Sequence, residues 1–227
     1  MIPAPAPVAS RRHTLVLLAI FLGVAALLAV QSQGAPAAGS APASHVPLYL
    51  GAMAFEWLLF WATLRGLRAA GTPVRTLLGG GSLVRGIALG LLAWPLVVLV
   101  GMGAKWALAH AGLDVDADTA RTVARVGPHG AVEIVLWVLV SLSAGICEEF
   151  VFRGYLMRQF AAWFKSWPLG LLVSAVFFGI GHAYQGIGPV LTIVVHGISF
   201  GLVALLTRRL VPGMTAHAVE DIVAGLS

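Results

Sequence analysis

Two adjacent carboxylates, Glu148 and Glu149, follow directly after an apolar run from Ala131 to Cys147. Ionisable side chains in or at the end of a membrane-length segment are costly, so such a pair indicates a functional site. On a helix, Glu149 and Arg153 lie four residues apart on one face and can form an ion pair. Glu148 points roughly 100° away from Glu149 and is therefore free for other chemistry.

More ionisable side chains interrupt apolar segments farther along the chain. His182 lies at the end of one such segment, and His217 and Asp221 are spaced four apart on one face of the last predicted helix. Each alone would be expensive in a bilayer, whereas a shared polar pocket offsets that cost. A carboxylate with imidazoles can deprotonate water and stabilise an oxyanion, which are the two needs of peptide hydrolysis.

Taken singly, these residues have plainer explanations. Glu148 could be a helix-end charge that reaches the interface, and His182 could be an interfacial histidine. Their joint occurrence favours one site. We expect His196, which no motif includes, to serve packing or to line a wet cavity. Three other carboxylates are interpreted as interfacial or water-facing and receive no role: Glu56, Glu133 and Glu220.

The composition identifies the class of protein. Hydrophobic residues make up 59% of the chain and charged residues 10%, against about 25% charged residues in an average soluble domain. This indicates a polytopic membrane protein. The net charge of +5 is spread over short inter-span segments, so we expect it to set topology and predict no nucleic-acid partner. A single cysteine, Cys147, excludes an internal disulfide and a Cys-rich zinc site.

The elements that must position these residues are helices. We predict an all-α, polytopic helical bundle of about seven segments, with an additional amphipathic, partly interfacial helix over residues 149–165. Most basic residues fall on one side if the amino terminus is cytoplasmic. The predicted segments cover residues 14–30, 46–64, 83–109, 131–147, 168–184, 189–207 and 213–226.

The first segment has two interpretations. Residues 14–30 could be a signal peptide, with small residues at 33–35 or 41–43 as its cleavage region. We prefer an uncleaved span, because a retained first helix suits the predicted topology. Residues 1–13 are Pro- and Ala-rich at their start and are predicted to form a disordered tail.

Three spaced motifs in the second half of the chain resemble the signature of the CPBP family, the CAAX-prenyl-protease-like and bacteriocin-processing intramembrane proteases. The resemblance covers about residues 131–225. It implies a catalytic core over residues 131–227, preceded by a variable transmembrane region of three spans over residues 14–130. The motifs are Glu148-Glu149-x-x-x-Arg153, Phe178-x-x-x-His182 and His217-x-x-x-Asp221.

The resemblance also implies roles for these residues. Glu148 and His182 would activate the attacking water, and His217 and Asp221 would act as oxyanion stabilisers or metal ligands. Glu149, Arg153 and Phe178 would support the site.

The cofactor is left open. The family name indicates a metalloprotease, in which Glu148, His182 and His217 would hold a divalent metal such as zinc. A metal-free, glutamate-dependent mechanism is also argued for the family, and the chain has no His-Glu-x-x-His motif. Asp221 stands where the family allows Asn or Asp. An ionised Asp would repel an oxyanion. Asp221 would therefore either be protonated and orient His217, or be anionic and bind the metal directly or through one of its ligands.

We therefore expect an intramembrane endopeptidase that cleaves a membrane-associated protein or peptide in the lipid bilayer. The Ala/Gly/Arg-rich composition favours a multi-pass protein of a bacterial cytoplasmic membrane. The alternative is a non-catalytic member that binds or sequesters a membrane partner in an immunity or regulatory role. A small transporter would be expected to have two similar halves, and the sequence shows no internal repeat.

One geometric conflict follows from these spans. They place Glu148 near the inner end of its helix and His182 near the outer end of its own. For the two to meet, the fourth helix must end deep in the membrane, or the fifth must be tilted or incomplete.

Overall fold

A computed structural model describes residues 5–33, 44–113 and 115–226, without the side chains of residues 123 and 124. The described residues form an all-helical fold, as predicted. A π-helical segment, Glu149–Leu156, and a 3₁₀ turn, Ala183–Gln185, interrupt the helices. The α-helices are α1 (Arg11–Gln33), α2 (Val46–Ala69), α3 (Arg75–Leu78), α4 (Leu83–His110), α5 (Val115–Val126), α6 (Ala131–Glu148), α7 (Met157–Phe164), α8 (Trp167–Ile180), α9 (Ile187–Thr207) and α10 (Val211–Leu226).

Five of the described helices are long and apolar enough to cross a membrane, which makes the chain an integral membrane protein. Apolar side chains cover their outer faces, as expected for helices that contact lipid. Helix α8 is apolar but has only 14 residues, and α10, with 16 residues, is less apolar than α8. The five spans are Arg11–Ser32, Val46–Ala69, Leu83–His110, Ala131–Phe164 and Ile187–Thr207.

The fourth span is much longer than predicted. Helix α6, the π-helical segment and α7 form one continuous helix of 34 residues, Ala131–Phe164. The predicted interfacial helix over residues 149–165 is instead largely the second half of this span, and every residue of the π-helical segment is buried. At about 1.5 Å per residue, Glu148 lies roughly halfway along it rather than near an end.

The fifth predicted span is incomplete. Helix α8 has 14 residues, which is about 21 Å against a hydrocarbon core of about 30 Å. Ser166 caps its amino terminus by accepting from the Leu169 amide at 3.3 Å. Because α8 is short and Glu148 lies midway along its helix, Glu148 and His182 can line the same cavity, which resolves the conflict between the predicted spans.

Glycines bring α10 close to two spans. A Cβ at Gly145 on α6 would lie 2.7 Å from the Met214 carbonyl oxygen, and one at Gly90 on α4 would lie 2.6 Å from that of Pro212. Only a residue without a side chain allows backbones to approach this closely. Helix α10, which carries His217 and Asp221, is therefore wedged between α4 and α6.

The amino-terminal tail is partly ordered, unlike the prediction for residues 1–13. Val8 and Ala9 are buried, and α1 begins at Arg11. The buried Gln159 side chain accepts from the Val8 amide at 2.8 Å and donates to the Ala9 carbonyl at 2.7 Å. Residues 1–4 lie outside the described part of the chain, as do residues 34–43, which include most of the cleavage region considered for a signal peptide.

Candidate active site

A cavity of about 700 Å³ lies between α1, α2, α6, α8 and α10. Its walls are mostly apolar, and Glu148, His182 and Asp221 stand among them. Concave, mostly apolar pockets with a few convergent polar groups are typical of small-molecule and substrate sites. Three of the four predicted catalytic residues therefore line one space, although they come from three different helices or their ends.

His217 joins the carboxylates of this cavity. Its Nε2 atom lies 3.7 Å from Oε2 of Glu148 and 3.4 Å from Oδ2 of Asp221. His217 is buried, whereas Asp221 is partly exposed. The spacing of four residues on α10 places His217 and Asp221 on one face, as predicted. The imidazole therefore stands between the two acids.

The other nitrogen of His217 is fixed by Glu149. Nδ1 lies 3.1 Å from Oε1 of Glu149, within hydrogen-bond distance. Oε1 of Glu149 is also 2.8 Å from Nη1 of Arg153, so the predicted pair is present. Glu149 and Arg153 are 0% and 2% exposed, so each compensates a charge that water cannot reach. This buried ion pair fixes the His217 imidazole through Nδ1, the nitrogen that faces away from Glu148 and Asp221.

Aromatic rings enclose these groups. The Phe178 ring centroid lies 4.1 Å from the Arg153 guanidinium carbon and packs edge-on against His182 and His217, at 5.1 and 5.7 Å. The Phe200 ring stacks on His217 at 4.9 Å. Phe178 thus touches three of the predicted site residues, which gives its place in the second motif a physical reason.

His182 presents one free nitrogen to the cavity. Its Nδ1 lies 3.0 Å from the carbonyl oxygen of Phe178, one helical turn earlier. With a proton on Nδ1, the imidazole donates to that carbonyl, and Nε2 keeps its lone pair. The backbone carbonyl of Phe178 therefore orients the ring, a role that a carboxylate has in other sites.

A second cavity of about 270 Å³ adjoins the first on the side of α4, α5 and α9. His182, Asp221 and Phe178 line both cavities, whereas Glu148 lines only the large one and His217 only the small one. The candidate site therefore lies at the junction of two spaces. A bound chain could extend to either side of it.

Comparison with known proteins gives one family match for this chain. Residues 129–223 match the family model described as Type II CAAX prenyl endopeptidase Rce1-like. The match confirms the resemblance to the CPBP family seen in the motifs, and it supports a membrane protease-type function. All seven candidate site residues lie inside it, and α1 to α5 lie outside. No curated protein and no solved structure matches the chain.

The Rce1-like region does not present a ready-made metal site. Among the described residues, no group of three or more His, Cys, Asp or Glu side chains converges as a metal ion requires. Glu148, His182 and His217, the predicted ligand set, are thus not arranged as three ligands. Nδ1 of His217 is already taken by Glu149.

Glu56, which was expected at the membrane interface, lies inside the site instead. It lines the large cavity from α2, where its Oε2 accepts from the Ser143 hydroxyl at 2.6 Å. No motif includes Glu56, so its only signal was a charge within an apolar helix. Glu220, expected to face water, instead accepts from the Trp94 indole at 2.7 Å.

Two further ionisable residues, His196 and Glu133, have structural positions. His196 lines the small cavity, and its ring fills the space beside Gly101, where a Cβ would collide with it. Glu133, expected at the interface, is buried and accepts from the backbone amides of His45 and His129 at 2.7 and 2.8 Å. It therefore ties the start of α6 to the start of α2.

Proposed function

We propose that this protein is an intramembrane endopeptidase that hydrolyses a peptide bond of a membrane-associated protein or peptide. The observation that carries the proposal is that Glu148, His182 and Asp221 line one mostly apolar cavity, while His217 contacts both acids. Shielding from bulk water strengthens every charge interaction in such a space. The family match adds the protease class of chemistry.

Glu148 and His182 are the proposed activators of water. Glu148 takes a proton from a water molecule in the cavity, and His182, through its free Nε2, helps to hold that water. The resulting hydroxide oxygen bonds to the carbonyl carbon, and the carbonyl electrons move onto oxygen. A general base of this kind contributes about 10² to 10⁴ in rate.

His217 is the proposed stabiliser of the oxyanion. Glu149 accepts from Nδ1, and its negative charge favours an imidazole that also carries a proton on Nε2. That Nε2–H points toward the cavity acids and can donate to the developing oxyanion. When the carbon–nitrogen bond breaks, the proton held by Glu148 goes to the leaving amine, so one water is consumed per bond.

Asp221 is a proposed positioning residue. Its Oδ2 lies 3.4 Å from Nε2 of His217, so it holds that imidazole when substrate is absent. Its carboxyl group must be protonated, or turned toward the small cavity, when the oxyanion forms, because two negative charges would repel.

The proposed setting is a bacterial cytoplasmic membrane with the amino terminus in the cytoplasm. The support is the charge distribution: the described segments that would face inward carry most of the arginines, including Arg65, Arg68 and Arg85. Substrates are then proteins or peptides that are held in or on that membrane.

Cleavage of a library of hydrophobic fluorogenic peptides by detergent-purified protein tests the proposal. Wild type should cleave members of the library, and Glu148→Gln and His182→Gln should not. Asp116→Asn, an exposed residue of α5, is the control and should cleave as wild type does. Cleavage that survives Glu148→Gln would contradict the proposal. A wild type that binds but never cleaves would favour a binding protein.

A further inference from the structure

One charged side chain enters the large cavity from outside the Rce1-like region. Helices α1 and α2 contribute about half of the described residues that line the cavity, and Glu56 is the only Asp, Glu, Lys, Arg or His among them. It lies on α2, well before residue 129, where the family match begins. Its carboxylate is therefore a feature of this chain rather than of the matched motifs.

Glu56 has little compensation from the protein. One oxygen accepts from the Ser143 hydroxyl, and no ion pair joins Glu56 to any described Lys, Arg or His. The other acidic side chains in the cavity wall are Glu148 and Asp221, so no positive partner comes from them. A carboxylate in an apolar, membrane-embedded space with one neutral hydrogen bond is expensive.

The missing compensation can come from the substrate. The cavity is within the size range of substrate pockets, about 300 to 1,000 Å³, so a segment of peptide fits in it. A positive side chain on that peptide would form a charge-assisted hydrogen bond with the free oxygen of Glu56, which is stronger than a neutral one. No cation of the cavity wall competes for it, because the described lining contains neither Lys nor Arg.

We propose that Glu56 is a specificity-determining residue that binds a Lys or Arg side chain of the substrate inside the large cavity. That side chain would lie near the peptide bond that is hydrolysed by the water that Glu148 activates. The inference rests on the proposed protease function, but the binding step does not require hydrolysis. The favoured substrate is then an apolar segment that carries one basic residue near the cleaved bond.

Glu56→Gln is the matched substitution. The glutamine carbonyl can still accept from Ser143, so the local hydrogen bond and the side-chain volume are kept while the charge is removed. A purely structural Glu56 would therefore tolerate the change. Glu56→Lys reverses the charge and should reverse the preference.

Binding is measured in the Glu148→Gln background, so that no peptide is consumed. The probes are fluorescent Leu/Ala peptides with Lys at each position in turn, beside the same peptides with Met, which has a similar length and no charge. Full-length protein in detergent should bind at least one Lys peptide more tightly than its Met partner. Glu56→Gln should reduce that ratio about tenfold or more. Glu56→Lys should instead favour a Glu-containing peptide.

The outcomes separate this inference from the protease proposal. A Lys preference that disappears in Glu56→Gln but not in Asp116→Asn supports the cation site, whether or not wild type cleaves peptides. Equal binding of Lys and Met peptides, or a preference that survives Glu56→Gln, would overturn it. So would equal weakening of all peptides, which would make Glu56 a residue that shapes the cavity. Cleavage without any charge preference would overturn this inference alone.

Discussion

His217 is the residue on which the candidate site depends most. One of its nitrogens contacts Glu149, the other faces Glu148 and Asp221, and Phe200 stacks on its ring. Its orientation is therefore set on three sides before a substrate arrives. Such preorganisation means that no binding energy is needed to order the imidazole during the reaction.

Arg153 should matter for stability because it compensates Glu149. Arg153→Met leaves a fully buried carboxylate with only His217 beside it. Breaking a buried ion pair from one side typically costs about 3 to 5 kcal/mol. Thermal unfolding in detergent should show a large fall in Tm. Glu149→Gln with Arg153→Met should recover part of the loss. Arg121→Met, in an exposed ion pair with Asp118, is the control, and an equally small effect of Arg153→Met would contradict the account.

Asp221 should tolerate asparagine but not leucine. The contact with Nε2 of His217 needs an oxygen, which the amide also supplies, and an amide does not repel an oxyanion. We expect Asp221→Asn to keep kcat/KM within about tenfold, whereas Asp221→Leu should lower it by about 10- to 100-fold, as the loss of an orienting partner does. Similar rates for both variants on one fluorogenic peptide would show that Asp221 does not position His217.

At the scale of elements, the sequence predicted the motifs and the apolar segments but not how they continue. Residues 149–165 have the amphipathic pattern of an interfacial helix, because Arg153, Arg158 and Lys165 are interleaved with apolar residues. The structure buries the first half of this stretch, Glu149–Leu156, where Glu149 and Phe178 supply partners for Arg153. A local pattern cannot reveal a partner that is distant in sequence, so both the long fourth span and the short α8 were missed.

The same limit applies to Glu56. Its hydrogen bond to Ser143 joins residues 87 positions apart, and no local motif marks it. By contrast, His217 and Asp221 were predictable as a pair, because a spacing of four on a helix fixes their common face.

Filling the large cavity should block substrate binding without unfolding the helices. Gly51 on α2 lines the cavity, and a Cβ there would meet nothing within 4 Å. Gly51→Trp should therefore raise KM for peptides while leaving Tm close to that of wild type. Gly103→Trp, at an equally open position on α4 away from the cavity, should leave KM unchanged. An unaltered KM in Gly51→Trp would show that substrate does not occupy this space.

For the whole molecule, the prediction of a polytopic helical bundle was correct, because membrane-length apolar segments must satisfy their backbone groups within helices. Orientation stays a prediction that follows from the arginines. Membrane-impermeant thiol reagents can test it, since the native Cys147 is 0% exposed and should not react. Asp116→Cys on α5 should be labelled in intact cells, and Gly80→Cys, before α4, should be labelled only after lysis. The reverse pattern would invert the topology.

The most direct measurement is hydrolysis in heavy-oxygen water by protein reconstituted in liposomes, with wild type beside Glu148→Gln. The substrate is the best peptide of the fluorogenic library, and mass spectrometry follows the products. The account predicts that the new carboxyl terminus gains one heavy oxygen, and that Glu148→Gln lowers this rate by about 10² to 10⁴ with an unchanged Tm. Equal labelling by the two proteins would contradict the claim that Glu148 activates water in the membrane.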